Sequence, residues 1–235
     1  PQGVIYAVPG HPFIAEATSP EIARQARLAG IPVQIVPGLS FIEPVFSALG
    51  SDPFPQTSLV DALELVSAHH PSFPPSAPAL IAQLYSIPVA TEVKLTLMEV
   101  FPDDHPVRLV HAASTDQEMV ENLPLYAIDR SDHIGLMTAL FIPPLDPMAS
   151  FEAFQEMIAH LRSPEGCPWD RDQTHLSLRP FLLEETYEVL GALDTENPVT
   201  LQEELGDLLL QIGLHAQIAS EDGEFTMEKV LQKIQ

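Results

Sequence analysis

Two acidic clusters near the C-terminus constrain the chain most: Glu184-Glu185-Thr186-Tyr187-Glu188 and Glu203-Glu204-Leu205-Gly206-Asp207. Each lies in a stretch that reads as helix and puts carboxylates at i, i+3 and i+4, on one helical face. A short turn joins the stretches, so the helices should run antiparallel with their acidic faces together. Like charges gathered in this way repel unless a cation sits between them. Carboxylates on rigid helices are the hard oxygen donors that Mg²⁺ or Mn²⁺ takes, usually with substrate phosphates and water completing the shell. The pattern points to a metal site that handles a phosphorylated substrate.

Two solvated helix faces are the ordinary alternative, and two features weigh against it. Leu208 to Ser220 contains no Asp, Glu, Lys or Arg, so that helix is expected to be buried on several sides, with Glu204 and Asp207 at the mouth of the buried part. Neither cluster has Lys or Arg at i+3 or i+4 to form the usual helix salt bridge. Unpaired buried carboxylates are costly and call for a cationic partner. Glu203 also has a local role open to it, because Thr200-Leu201-Gln202-Glu203 has capping-box spacing.

The rest of the composition narrows the function classes. The 235 residues carry a formal charge of −23, so the chain should not grip a nucleic-acid polymer. Small phosphorylated ligands remain open where a metal offsets the local charge. Cys167 is the only cysteine, which excludes an internal disulfide and suits a reducing, cytoplasmic setting. No apolar run approaches membrane-spanning length, and no signal peptide is evident. The chain starts at Pro1 and stops at Lys233-Ile234-Gln235 inside a helical pattern, so both ends are expected to be cut from a longer protein.

Two parts are expected, an α/β part over residues 1–145 and an all-α bundle over 146–235, joined by Pro143-Pro144-Leu145-Asp146-Pro147. In the first, strands are predicted at Val4–Val8, Val33–Val36, Leu80–Tyr85, Val107–His111, Leu125–Ile128 and Ala139–Ile142. Helices are predicted from a Ser19 cap to Leu28, and at Phe41–Leu49, Leu59–Ala68 and Val89–Val100. In the second, helices are predicted at Phe151–Arg162, Arg179–Leu193, Leu201–Ala219 and Met227–Ile234, with a loop through Ser177. Within that loop Glu165-Gly166-Cys167-Pro168-Trp169-Asp170 carries the only tryptophan. Trp169 either plugs the end of the bundle or offers a flat face on which a nucleobase stacks. Cys167 reads as a small filler rather than a nucleophile.

Cys167-Pro168-Trp169-Asp170, Gln173-Thr174, Leu183-Glu184-Glu185-Thr186-Tyr187-Glu188 and Glu203-Glu204-Leu205-Gly206-Asp207-Leu208-Leu209 together resemble the MazG family of nucleoside triphosphate pyrophosphohydrolases. The resemblance implies an all-α fold that dimerises and a Mg²⁺-dependent cleavage of nucleoside triphosphates to monophosphate and pyrophosphate, with Mn²⁺ as the alternative ion. It implies Glu185, Glu188, Glu204 and Asp207 as metal ligands. Glu184 would orient the attacking water or add a ligand, and Trp169, Asp170 and Glu184 would meet the substrate. Tyr6-Ala7-Val8-Pro9-Gly10-His11-Pro12 and Val36-Pro37-Gly38-Leu39-Ser40-Phe41 resemble the later part of a tetrapyrrole (corrin/porphyrin) methylase domain. That family's methyl donor is S-adenosylmethionine. Its opening glycine-rich segment is missing from these residues, so no cofactor binding is expected here, and Gly10, His11 and Gly38 are read as turn geometry. Two rivals to hydrolysis stand at this point: methyl transfer by the first part, and a non-catalytic nucleotide-binding or dimerisation module.

Overall fold

The computed structural model describes residues 3–145 and 150–234. The chain forms two compact units, Pro1–Pro147 and Met148–Gln235. The predicted split after residue 145, with Asp146 and Pro147 of the linker, falls outside the described residues, as does Gln235. Among the described residues no helix is long and apolar enough to cross a membrane.

The first unit is built on a five-stranded mixed sheet in the order β1-β2-β5-β3-β4. The strands are β1 Ser58–Asp61, β2 Ala79–Ala82, β3 Pro106–His111, β4 Met119–Pro124 and β5 Thr138–Ile142. β1 and β2 are parallel, and the other pairings are antiparallel. Successive side chains leave a strand on opposite faces, and both faces here are apolar. Leu80, Val110, Ala139 and Phe141 meet Val45, Phe46 and Leu49 of helix α2 (Ile42–Leu49). Ile81, Leu109, Leu140 and Ile142 meet helices α3 (Ala62–Val66) and α4 (Ile87–Met98) and the 3₁₀ turn Leu125–Arg130. Register aligns the second set in one row, Leu109 opposite Leu140 and Leu140 opposite Ile81.

Five expectations change in this unit. Val4–Val8 and Val33–Val36 are not strands. Their apolar runs find no ladder partner among the described residues, and Val4 is 96% exposed. Their turns instead pack backbone on backbone: a Cβ on Gly38 would come 2.2 Å from the Gly10 carbonyl oxygen. Leu125–Ile128 is 3₁₀ helix, with the strand just ahead of it at β4. Leu59–Ala68 opens as β1 and becomes helical only from Ala62, where Asp61 accepts a hydrogen bond from the Leu63 amide. Helix α1 (Thr18–Leu28) is not capped by Ser19. The Glu16 carboxylate accepts from the Thr18 and Ser19 amides instead, an anion at a helix start.

The second unit is helical: α5 Phe151–Arg162, α6 Pro168–Arg171, α7 His175–Asp194, α8 Pro198–Glu221 and α9 Met227–Gln232. Its core is Ile158, Leu178, Leu214 and Ile218, with Phe154, Met157, Phe181 and Leu210 against them. The expected loop through Ser177 is helix. Thr174 and Ser177 form a reciprocal capping box, so α7 starts at His175 and carries Pro180 inside its second turn. Thr200 does not cap α8. Pro198 occupies the first turn, and the Asn197 side chain accepts from the Val199 and Thr200 amides.

Candidate metal centre

α7 and α8 form a helical hairpin turned by Thr195, Glu196 and Asn197. Residues 185 and 188 are one turn apart on α7, as are 204 and 207 on α8, so each helix offers two carboxylates along one seam. Glu185, Glu188 and Glu204 each bring one carboxylate oxygen to within 4.8 Å of the other two. Asp207 stands outside this trio, yet its charge acts on both Glu185 and Glu204. Glu184 adds to the crowding of Glu185.

The electrostatics follow from this crowding. Burial, then the charges of Asp207 and Glu188, hold the Glu185 carboxyl above the usual glutamate range. Burial, then the charges of Glu188, Glu203 and Asp207, do the same to Glu204. The Glu188 charge presses on both Glu185 and Glu204, and a cation among the three would relieve that crowding. Among the described residues no Lys or Arg pairs with any member of the group. The donor set is all oxygen, which suits a hard divalent ion.

The carboxylates are less enclosed than the charge-free segment suggests. Glu185 and Glu204 are half-buried, whereas Glu184, Glu188 and Asp207 are exposed. Gln211, Leu214, Ile218 and Ala219 of α8 are buried, but Leu205, Leu209 and Ile212 are exposed on its other side.

Trp169 is 54% exposed and does not plug the unit. Its ring meets Phe181 edge-on, with centroids 5.7 Å apart, and Phe181 lies one turn before Glu185 on α7. Asp170 is half-buried. Its carbonyl accepts a hydrogen bond from Arg162, which also reaches the Gln173 carbonyl and pairs with Glu221. Gly166 sits where a Cβ would lie 2.0 Å from the His160 carbonyl oxygen, so this loop closes tightly onto the end of α5. Sequence reasoning missed Arg162 and a histidine pair, His175 with His215. Arg162 had one signal, a cation ending an amphipathic helix; the histidines had none.

Comparison with known proteins bears on both units. Residues 1–129 match the model of the tetrapyrrole (corrin/porphyrin) methylases, and residues 173–235 match that of the MazG nucleotide pyrophosphohydrolase domain. The uncharacterized protein YabN of Bacillus subtilis is 40% identical over 242 residues, spanning 99% of this chain and 48% of YabN. The nucleoside triphosphate pyrophosphohydrolase/pyrophosphatase MazG of Thermotoga maritima is 54% identical over 84 residues, 36% of this chain and 33% of that protein. A solved uroporphyrin-III-C-methyltransferase from Thermus thermophilus is 22% identical, covers 59% of this chain and 63% of its own, and superposes with a TM-score of 0.46. The chain thus spans about half of YabN and about a third of the MazG enzyme. Through residues 1–129 the chain belongs to the tetrapyrrole (corrin/porphyrin) methylase family, and at residues 173–235 it carries a MazG nucleotide pyrophosphohydrolase domain.

Proposed function

We propose that the helical unit hydrolyses nucleoside triphosphates, with Mg²⁺ or Mn²⁺, to nucleoside monophosphate and pyrophosphate. The observation that carries this reading is the trio of carboxylate oxygens from Glu185, Glu188 and Glu204 within 4.8 Å of one another. The pyrophosphohydrolase name of the Thermotoga maritima relative supports the same chemistry.

Glu185, Glu188, Glu204 and Asp207 would hold the ion. When bound, it supplies charge neutralisation at the triphosphate and a lowered pKa for coordinated water. Glu184 is adjacent on α7 and exposed, so it can accept the proton of the attacking water. Water oxygen then bonds to the α-phosphorus, the bridging bond to the β-phosphate breaks, and pyrophosphate leaves with that electron pair. Trp169 would stack on the base, with Asp170 beside it.

The partner best suited to the exposed apolar side of this hairpin is a second copy of the chain. Leu183, Tyr187 and Leu190 of α7 and Leu205, Leu209 and Ile212 of α8 are all exposed in one protomer. A reducing cytoplasm suits the single free Cys167.

Incubation with each nucleoside triphosphate and Mg²⁺ tests the activity. Pyrophosphate and monophosphate in equal amounts are expected. Orthophosphate release, or no turnover while metal and nucleotide bind, overturns the reading.

A further inference from the structure

Outside the acidic seam, the least explained polar group in the helical unit is the pair His175–His215. Its Nδ1 atoms are 2.8 Å apart, the ring centroids 5.1 Å apart, and the planes differ by 5°. Nitrogens so much closer than the centroids, in parallel rings, mean that the rings meet edge to edge, with facing lone-pair directions. A shared proton fits that gap, and a metal ion does not. One Nδ1 donates and the other accepts. The His215 Nε2 atom is buried without a partner.

The pair ties the first residue of α7 to the middle of α8. Just before that tie the chain is cross-braced. Thr174 and Ser177 cap each other, the Ser177 hydroxyl donates to the Gln173 side-chain oxygen at 2.6 Å, and the Gln173 side-chain amide donates to the Trp169 carbonyl at 2.9 Å. A chain of hydrogen bonds therefore runs from the start of α7, beside His175, to the Trp169 carbonyl.

We infer that His175 and His215 are positioning residues for Trp169, and that their bond opens when both rings carry a proton, freeing the Trp169 loop. Two imidazolium rings each present a hydrogen on Nδ1, and the contact becomes repulsive. Charged groups on the elements that pack here include Arg179 on α7, Glu221 on α8 held by Arg162 of α5, Asp170 and Arg171 in α6 with Asp172 after it, and Glu228 on α9. Among the described residues none hydrogen-bonds either ring. Burial, and then the charge of His175, push the His215 imidazole below its ordinary value, in keeping with a bond that holds at neutral pH.

The reading of Trp169 as a base-stacking wall gives this clamp its use, but the test does not depend on turnover. Trp169 is the only tryptophan, so acrylamide quenching of the chain's fluorescence reports on it alone. In the wild-type chain the quenching constant should stay flat above the ordinary histidine value, about pH 6.5, and rise in one step below it. His215→Gln cannot titrate and can still hydrogen-bond, so it should keep the neutral-pH value and lose the step. His215→Ala should be more quenched at every pH. His160→Gln, at an exposed site on α5, should keep the step. A flat wild-type profile, a step retained in His215→Gln, or an Ala variant as protected as wild type would each overturn the inference. Failure to release pyrophosphate would leave all of these outcomes readable.

Discussion

Replacing Arg162 by Met should destabilise the helical unit by about 3 kcal/mol while leaving its fold intact. Arg162 is 9% exposed. Its guanidinium makes three contacts of 2.8 to 3.1 Å with the Glu221 carboxylate and donates to the carbonyls of Asp170 and Gln173. Removing one partner of a fully buried pair costs roughly 3–5 kcal/mol. The Glu221 side chain is 38% exposed, so water recovers part of that, leaving about 2 kcal/mol. The two orphaned carbonyls add about 0.5 kcal/mol each at the low end for a hydrogen bond. Methionine keeps the apolar stem packed. For a unit of this size, about 3 kcal/mol lowers Tm by roughly 12–24 °C. Trp169 fluorescence follows this unit alone. The Arg162 bond also holds the Glu221 carboxyl below its usual range. For a lowered carboxyl, the linked stability is present above the unfolded value, about pH 4.3, and is lost as pH falls through the folded one. The gap between variant and wild type should therefore close in acid. A Tm loss under about 4 °C, or a gap independent of pH down to acid unfolding, would refute the argument.

Glu185→Gln should raise the metal-free melting temperature at neutral pH, because it relieves a crowded carboxyl. Raised carboxyls such as Glu185 and Glu204 give stability below the ordinary glutamate value that is lost as pH rises through their folded values. Mg²⁺ at ~100 times its Kd should stabilise wild type by about 2.7 kcal/mol and this variant far less, as read by melts with and without chelator. Gly213→Ala should cost about 1 kcal/mol net in a denaturant titration. Its Cβ would sit 2.7 Å from Phe154 and 3.1 Å from Ile158, an overpacking of roughly 1–3 kcal/mol against a helix gain of about 0.5–1. Under the proposed pairing of two copies, wild type should sediment as a dimer and Leu209→Glu, on the exposed side of α8, as a monomer.

Much of the acidic seam was legible because helical spacing is a local rule: 185 with 188 and 204 with 207 share a face whatever surrounds them. The strands expected at Leu80–Tyr85 and Val107–His111 were legible from their apolar runs, although the first ends sooner, as β2 Ala79–Ala82. Elsewhere strand status was not, since Val4–Val8 and Val33–Val36 have the composition of strands and no ladder to join. A strand is a relation between segments, and one segment does not carry it. Capping was not legible: Ser19 and Thr200 were expected to cap and neither does, whereas Thr174 with Ser177, in an expected loop, caps α7, because which residue caps depends on where the helix starts.

Local periodicity and residue chemistry by themselves determined the helical hairpin, the carboxylate rows and the α/β-then-α order of the chain. The tertiary structure alone decided how close Glu204 comes to Glu185, that Arg162 reaches Glu221 fifty-nine positions away, and that His175 meets His215. Those distances depend on how helices pack against one another, and a contact across forty residues leaves no trace in the spacing of either partner.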